Sequence, residues 1–134
     1  EASNIKVPTF GNVLLTVADE DKEEALVLAK RFADLGFQLV ATAGTGAYLR
    51  DNQLAVEILD KISESDNNAV SALRNGHLQI AINTTRQDGA TISDGQRIRH
   101  AAIENAVPLF TAFDTVGALL RVLESQGFAV TAMA

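Results

Sequence analysis

A chain of 134 residues with a 47% apolar share suffices for one domain, burying about two-thirds of the surface its unfolded form exposes. The net charge of −6 argues against DNA or RNA as a partner, and no apolar run approaches the ~18 residues of a membrane span. Cysteine is absent, which removes disulfides and thiolate chemistry. With only His77 and His100 as histidines, far apart, it also argues against a zinc site.

The opening Glu1-Ala2-Ser3-Asn4 does not read as a signal peptide, so a cytoplasmic location is expected. Residues 1–12 lack periodicity and contain Pro8 and Gly11. They read as an extended arm or linker, as if cut from within a longer polypeptide, leaving a single domain over 13–134. The apolar run Val13-Leu14-Leu15-Thr16-Val17-Ala18 is that of a central parallel strand covered on both faces. Asp21 and Glu24 follow at capping-box spacing. Ala25, Leu28, Ala29, Phe32 and Ala33 then form one helical stripe, closed by Gly36.

Phe37 to Ala41 is the second strand. It breaks into Thr42-Ala43-Gly44-Thr45-Gly46, which reads as a tight turn opening a short helix to about Arg50. Glycines let a backbone approach a ligand, and threonine hydroxyls beside the free N–H groups of a helix start suit phosphate oxygens. Val56 to Leu59 is a third strand, ending near Lys61. Asp66 is the expected N-cap of a helix carrying Val70 and Leu73 and closing at Asn75-Gly76. Leu78 to Ile82 is the fourth strand and stops at Asn83-Thr84-Thr85.

A helix over about Ser93 to Asn105 turns Ile98, Ala101 and Ala102 inward. Val107 to Thr111 is the fifth strand, with Pro108 near its start. Asp114 is then expected to cap a helix with Val116, Leu119, Leu120 and Leu123 on one face, ended by Gly127 before a short tail. Strands alternating with helices predict an α/β fold, a doubly wound five-stranded parallel sheet in three layers. Ligands in such sheets sit beyond the carboxyl ends of the strands. The polar breaks Asp19 to Lys22, Thr42 to Gly46 and Asn83 to Thr85 should therefore share one rim.

Three stretches carry a family pattern: Val17-Ala18-Asp19-Glu20-Asp21-Lys22-Glu23, Ala41-Thr42-Ala43-Gly44-Thr45 and Ile82-Asn83-Thr84-Thr85. In this order and spacing they resemble the methylglyoxal-synthase-like domain, over about residues 11–126. Within that superfamily the pattern is most similar to the C-terminal regulatory domain of the carbamoyl phosphate synthase large subunit. The resemblance implies the strand order 3-2-1-4-5 and a nucleotide effector site in place of a reaction centre. It implies that Thr42, Gly44, Thr45, Lys22 and Lys61 hold a phosphate, and that Asn83, Thr84 and Thr85 complete the pocket. Thr111 would face the same pocket. The residue types agree: ammonium groups, hydroxyls and backbone N–H groups for anionic oxygens, and an amide for ribose or base edges.

The implied ligand is a small phosphorylated effector: uridine monophosphate, inosine monophosphate or phosphoribosyl pyrophosphate. The implied protein partners are the catalytic domains of the same large subunit and a glutaminase small subunit. No cofactor belongs to this stretch; ATP with magnesium or manganese would serve the parent ligase, in pyrimidine and arginine synthesis. Some relatives sense ornithine through a tyrosine where this chain has Leu109. The alternative is a stand-alone methylglyoxal synthase acting on dihydroxyacetone phosphate. Asp66 matches a catalytic aspartate of that family and Asp94 falls at another. The histidine expected before the second aspartate is missing from Ala90-Thr91-Ile92-Ser93-Asp94, and the one after the first strand is replaced by Asp19-Glu20-Asp21.

Overall fold

The computed structural model of the chain describes residues 11–60, 68–84 and 94–133, with 94–95 and 126–133 described by backbone alone. Five parallel strands are β1 (Asn12–Thr16), β2 (Gln38–Thr42), β3 (Val56–Leu59), β4 (Ile80–Asn83) and β5 (Leu109–Phe110). They form one sheet in the order β3-β2-β1-β4-β5, the expected topology. The helices are α1 (Lys22–Asp34), α2 (Ala43–Asp51), α3 (Ala69–Arg74), α4 (Asp94–Glu104) and α5 (Phe113–Met133). A 3-10 turn at Asp19–Asp21 precedes α1.

The two-residue period of the strands divides the core into two layers. Val13 and Leu15 of β1, Leu39 and Ala41 of β2, and Ile80 and Ile82 of β4 pack against α1, α2 and α5. Leu14, Val40 and Ala81 point the other way, onto Ala69, Ala72 and Leu73 of α3 and Ile98, Ala101 and Ala102 of α4. β1 is buried on both faces, which is why it reads as an unbroken apolar run.

The stripe predicted for α1 is buried at Ala25, Leu28, Ala29 and Phe32. Its C-terminus closes as a Schellman motif: Gly36 N–H donates to Ala33 O at 3.0 Å and Phe37 N–H to Phe32 O at 3.1 Å. Gly36 has φ +99°, and the Phe32 and Phe37 rings meet edge to face at 5.3 Å. The capping box at its other end does not form. Asp21 makes no side-chain cap bond, because the 3-10 turn runs straight into the helix and brings Asp21 N–H onto Ala18 O at 2.9 Å.

Other expectations also need correction. The N-cap of α3 is Asn68, whose Oδ1 accepts Ser71 N–H at 2.9 Å; Asp66 lies outside the described residues. β5 shrinks to two residues, with Pro108 contributing its carbonyl to Ala81 N–H just before it. Asp114 is inside α5 and its carboxylate accepts the neighbouring Thr115 N–H at 2.9 Å. α5 does not stop at Gly127 but continues to Met133. A glycine costs a helix only about 1 kcal/mol, too little to end one that no proline interrupts.

Candidate functional site

β1, β2 and β4 end side by side at the sheet's centre. Thr16 is level with Asn83, and Thr42 stands one residue beyond the Leu15–Ala41 pair. No loop separates β2 from α2: Thr42 is the last strand residue and the N-cap, and Ala43 begins the helix. Thr42 makes no side-chain bond to the N–H groups it precedes. The first turn of α2 therefore presents backbone donors and the positive end of the helix dipole at the rim.

The loop after β1 is laced to both neighbouring breaks. Val17 N–H donates to Thr45 Oγ1 and Ala18 N–H to Thr84 Oγ1, each at 3.3 Å, and Thr84 N–H returns to Thr16 O at 3.1 Å. Both threonine oxygens serve as acceptors there, so each hydroxyl keeps its proton for a second partner. Thr45 is only 4% exposed and works from beneath the surface.

Lys22, the first residue of α1, reaches back over this floor. Its Nζ lies 3.7 Å from the position a Cβ on Gly44 would take. Its side chain is only 20% exposed, and the ammonium holds Asp19 Oδ1 at 2.8 Å. The hydrogen bond from Lys22, and then its charge, keep the Asp19 carboxyl below its ordinary range.

The structure thus gathers Lys22, Thr42, Gly44, Thr45, Asn83 and Thr84 at one rim. Lys61 and Thr85 lie outside the described residues. Thr111 follows β5 on the same edge of the sheet, two strands from β1, and is exposed. Asn83 is fully buried, and its Oδ1 accepts Arg99 Nε of α4 at 3.2 Å. Gly46 does not face a ligand; its bare α-carbon lets Ile58 of β3 pack against α2.

Sequence reasoning singled out neither Thr16 nor Arg99, and took Asp19 only as part of the polar break after β1. Thr16 is 2% exposed and its Oγ1 has no hydrogen-bond partner among the described residues. Strand parity places it with Thr42 and Asn83 on the α3–α4 face, beside Leu14, Val40 and Ala81. The available signal was a lone hydroxyl inside an otherwise apolar strand. Neither histidine is at this rim. His77 precedes β4, at the opposite end of the sheet, with Nε2 3.1 Å from Glu57 Oε1. His100 lies on α4, exposed, 3.2 Å from Glu104 Oε2. Among the described residues there is no group of three or more acids or histidines that could hold a metal, and no helix long and apolar enough to cross a membrane.

A hydroxyl-lined helix start with an overhanging ammonium suits an anionic oxygen group. Comparison with known proteins agrees with the architecture around it. The chain is similar in structure to a methylglyoxal synthase from Elizabethkingia anophelis NUHP1, with a TM-score of 0.65 over 85% of this chain and 79% of that one. At 14% identity this likeness speaks to the fold alone. The family model described as the MGS-like domain matches residues 24–111, which takes in the α2 turn and the end of β4, with Lys22 just before its start. On that match over more than half its length, the chain belongs to the MGS-like domain family.

Proposed function

We propose that this chain is the nucleotide-effector-binding regulatory domain of a carbamoyl phosphate synthase large subunit. One observation carries the reading: the ammonium of Lys22, a half-buried residue, overhangs the start of α2, on a rim that holds neither of the chain's histidines. That arrangement suits holding a phosphate and leaves no imidazole to move a proton at neutral pH.

The effector's phosphate rests between Lys22 and the first-turn N–H groups of α2, with the hydroxyls of Thr42, Thr45 and Thr84 donating to it. Lys61 and Thr85 add further donors. The nucleoside extends toward Asn83 and Thr111. Uridine monophosphate, inosine monophosphate and phosphoribosyl pyrophosphate all present the required group. The domain performs no reaction itself. ATP and its magnesium or manganese belong to the catalytic domains, and the glutaminase subunit completes the enzyme. A ligand that prefers one state of that assembly shifts it by the difference in affinity, typically ~1–3 kcal/mol.

A second reading, a methylglyoxal synthase, draws on the structural likeness. It would seat dihydroxyacetone phosphate in the same cradle, with Asp66 and Asp94 as acid–base groups. Calorimetric titration with the three effectors and dihydroxyacetone phosphate, with methylglyoxal assayed in parallel, separates the two. The regulatory reading expects an effector to bind and no methylglyoxal to form. Methylglyoxal formation without effector binding overturns it.

A further inference from the structure

The ammonium at the heart of the site is already occupied. Lys22 Nζ holds Asp19 Oδ1 at 2.8 Å, and the Asp19 side chain is 94% exposed while that of Lys22 is 20% exposed. Asp19 thus meets the ammonium from the solvent side, while the Gly44 Cβ position at the start of α2 lies 3.7 Å from Nζ. The Asp19 backbone is fixed by a turn. It opens the 3-10 turn in which Asp21 N–H meets Ala18 O at 2.9 Å and Lys22 N–H meets Asp19 O.

A phosphate oxygen reaching Lys22 seeks the same N–H donors that the carboxylate now takes. One ammonium has three donors and could serve both anions, but they would then stand about 5 Å apart. Repulsion between a carboxylate and a phosphate dianion at that range exceeds what an almost fully exposed ion pair contributes. The weaker, solvated partner leaves.

We propose that Asp19 is a built-in competitor for the anion of this site: its carboxylate neutralises Lys22 in the empty pocket, and a phosphate-bearing ligand binds by displacing it. The inference rests on the phosphate-site reading above and adds an affinity-setting residue to it. Asp19 keeps binding weaker than the cradle alone would allow, in the range where occupancy follows a changing ligand concentration.

The test is calorimetric titration of the full chain with inorganic phosphate and with uridine monophosphate, at low salt. The proteins are the unchanged chain, Asp19→Asn, Lys22→Met and, as a charge control, Glu23→Gln at an exposed first-turn position of α1. Asp19→Asn is expected to bind both probes about 3- to 10-fold more tightly, and Glu23→Gln to change affinity less than about twofold. Equal gains in these two variants overturn the proposal, since general charge would explain them. Unchanged affinity in Asp19→Asn, with binding lost in Lys22→Met, overturns it and leaves the phosphate site standing. No binding by any of the four proteins overturns both. A direct readout is the Asp19 carboxyl in a side-chain-resolved NMR titration. Its depressed pKa is expected to rise when phosphate saturates the site, and a carboxyl that stays low means that the pair survives.

Discussion

Ile58 stands against the bare α-carbon of Gly46: a methyl group placed there would lie 2.6 Å from Ile58 Cγ1 and 3.1 Å from Cδ1. The two glycines of the β2–α2 junction therefore have different work. Gly46 brings α2 down onto the sheet, whereas Gly44, two residues earlier and exposed, leaves space beneath the Lys22 ammonium. Gly46→Ala is expected to destabilise the fold by about 1–3 kcal/mol, because Ile58 is joined to a strand and has little room to yield. Gly44→Ala is expected to change stability by less than about 1 kcal/mol. Urea denaturation of both variants checks the contrast, and equal losses would remove the distinction.

Replacing Lys22 with alanine is expected to weaken binding of a phosphorylated ligand by at least about tenfold. Its folding cost should stay within about 0.5–1 kcal/mol, since its one ion-pair partner among the described residues is the exposed Asp19. Calorimetry for affinity, with thermal unfolding for stability, measures the two effects separately. Unchanged affinity would take Lys22 out of the site.

The Thr16 hydroxyl is buried without a hydrogen-bond partner among the described residues. A buried, unpaired hydroxyl costs about 1–3 kcal/mol of desolvation, and valine matches threonine in shape and strand preference. Thr16→Val is therefore expected to be neutral or stabilising by up to about 2 kcal/mol in the unliganded protein. It should also weaken the ligand if the hydroxyl donates to it. Urea midpoints with and without ligand check this, and a loss above about 1 kcal/mol without ligand would show that the hydroxyl has a partner after all.

Arg31 of α1 clasps Glu124 of α5 through two hydrogen bonds, Nε to Oε2 at 2.9 Å and Nη2 to Oε1 at 2.7 Å. The hydrogen bond from Arg31 holds the Glu124 carboxyl below its usual range and raises the guanidinium further. A carboxyl depressed by folding adds stability above its unfolded pKa, and that stability is lost as pH falls through the folded one. With Glu124 40% exposed, solvent screening limits the effect to about 1 kcal/mol. Glu124→Gln is expected to lower stability at pH 7 by that amount and to flatten its fall between about pH 5 and pH 3. Denaturation curves across that range decide it; parallel acid limbs in the two proteins would count against the clasp.

Much of the fold was legible because its signals are local. The run through β1, the stripe of α1 and the glycine that closes it each depend on neighbours in the chain, and each formed as expected. The rim was legible too, since polar breaks after buried strands must collect at one edge of a parallel sheet. What the chain could not reveal by itself was the partner of each polar atom. Asn68, not Asp66, caps α3 because capping depends on backbone angles at the turn, and the two residues look alike in sequence. Thr45 lies beneath the surface under Val17, Gly46 belongs to Ile58, and Asp19 already holds Lys22. These pairings join residues on separate elements, or depend on how a turn folds back on itself. Hydrophobic periodicity determines which face of an element is buried; only the assembled sheet decides which hydroxyl, glycine or charge meets which.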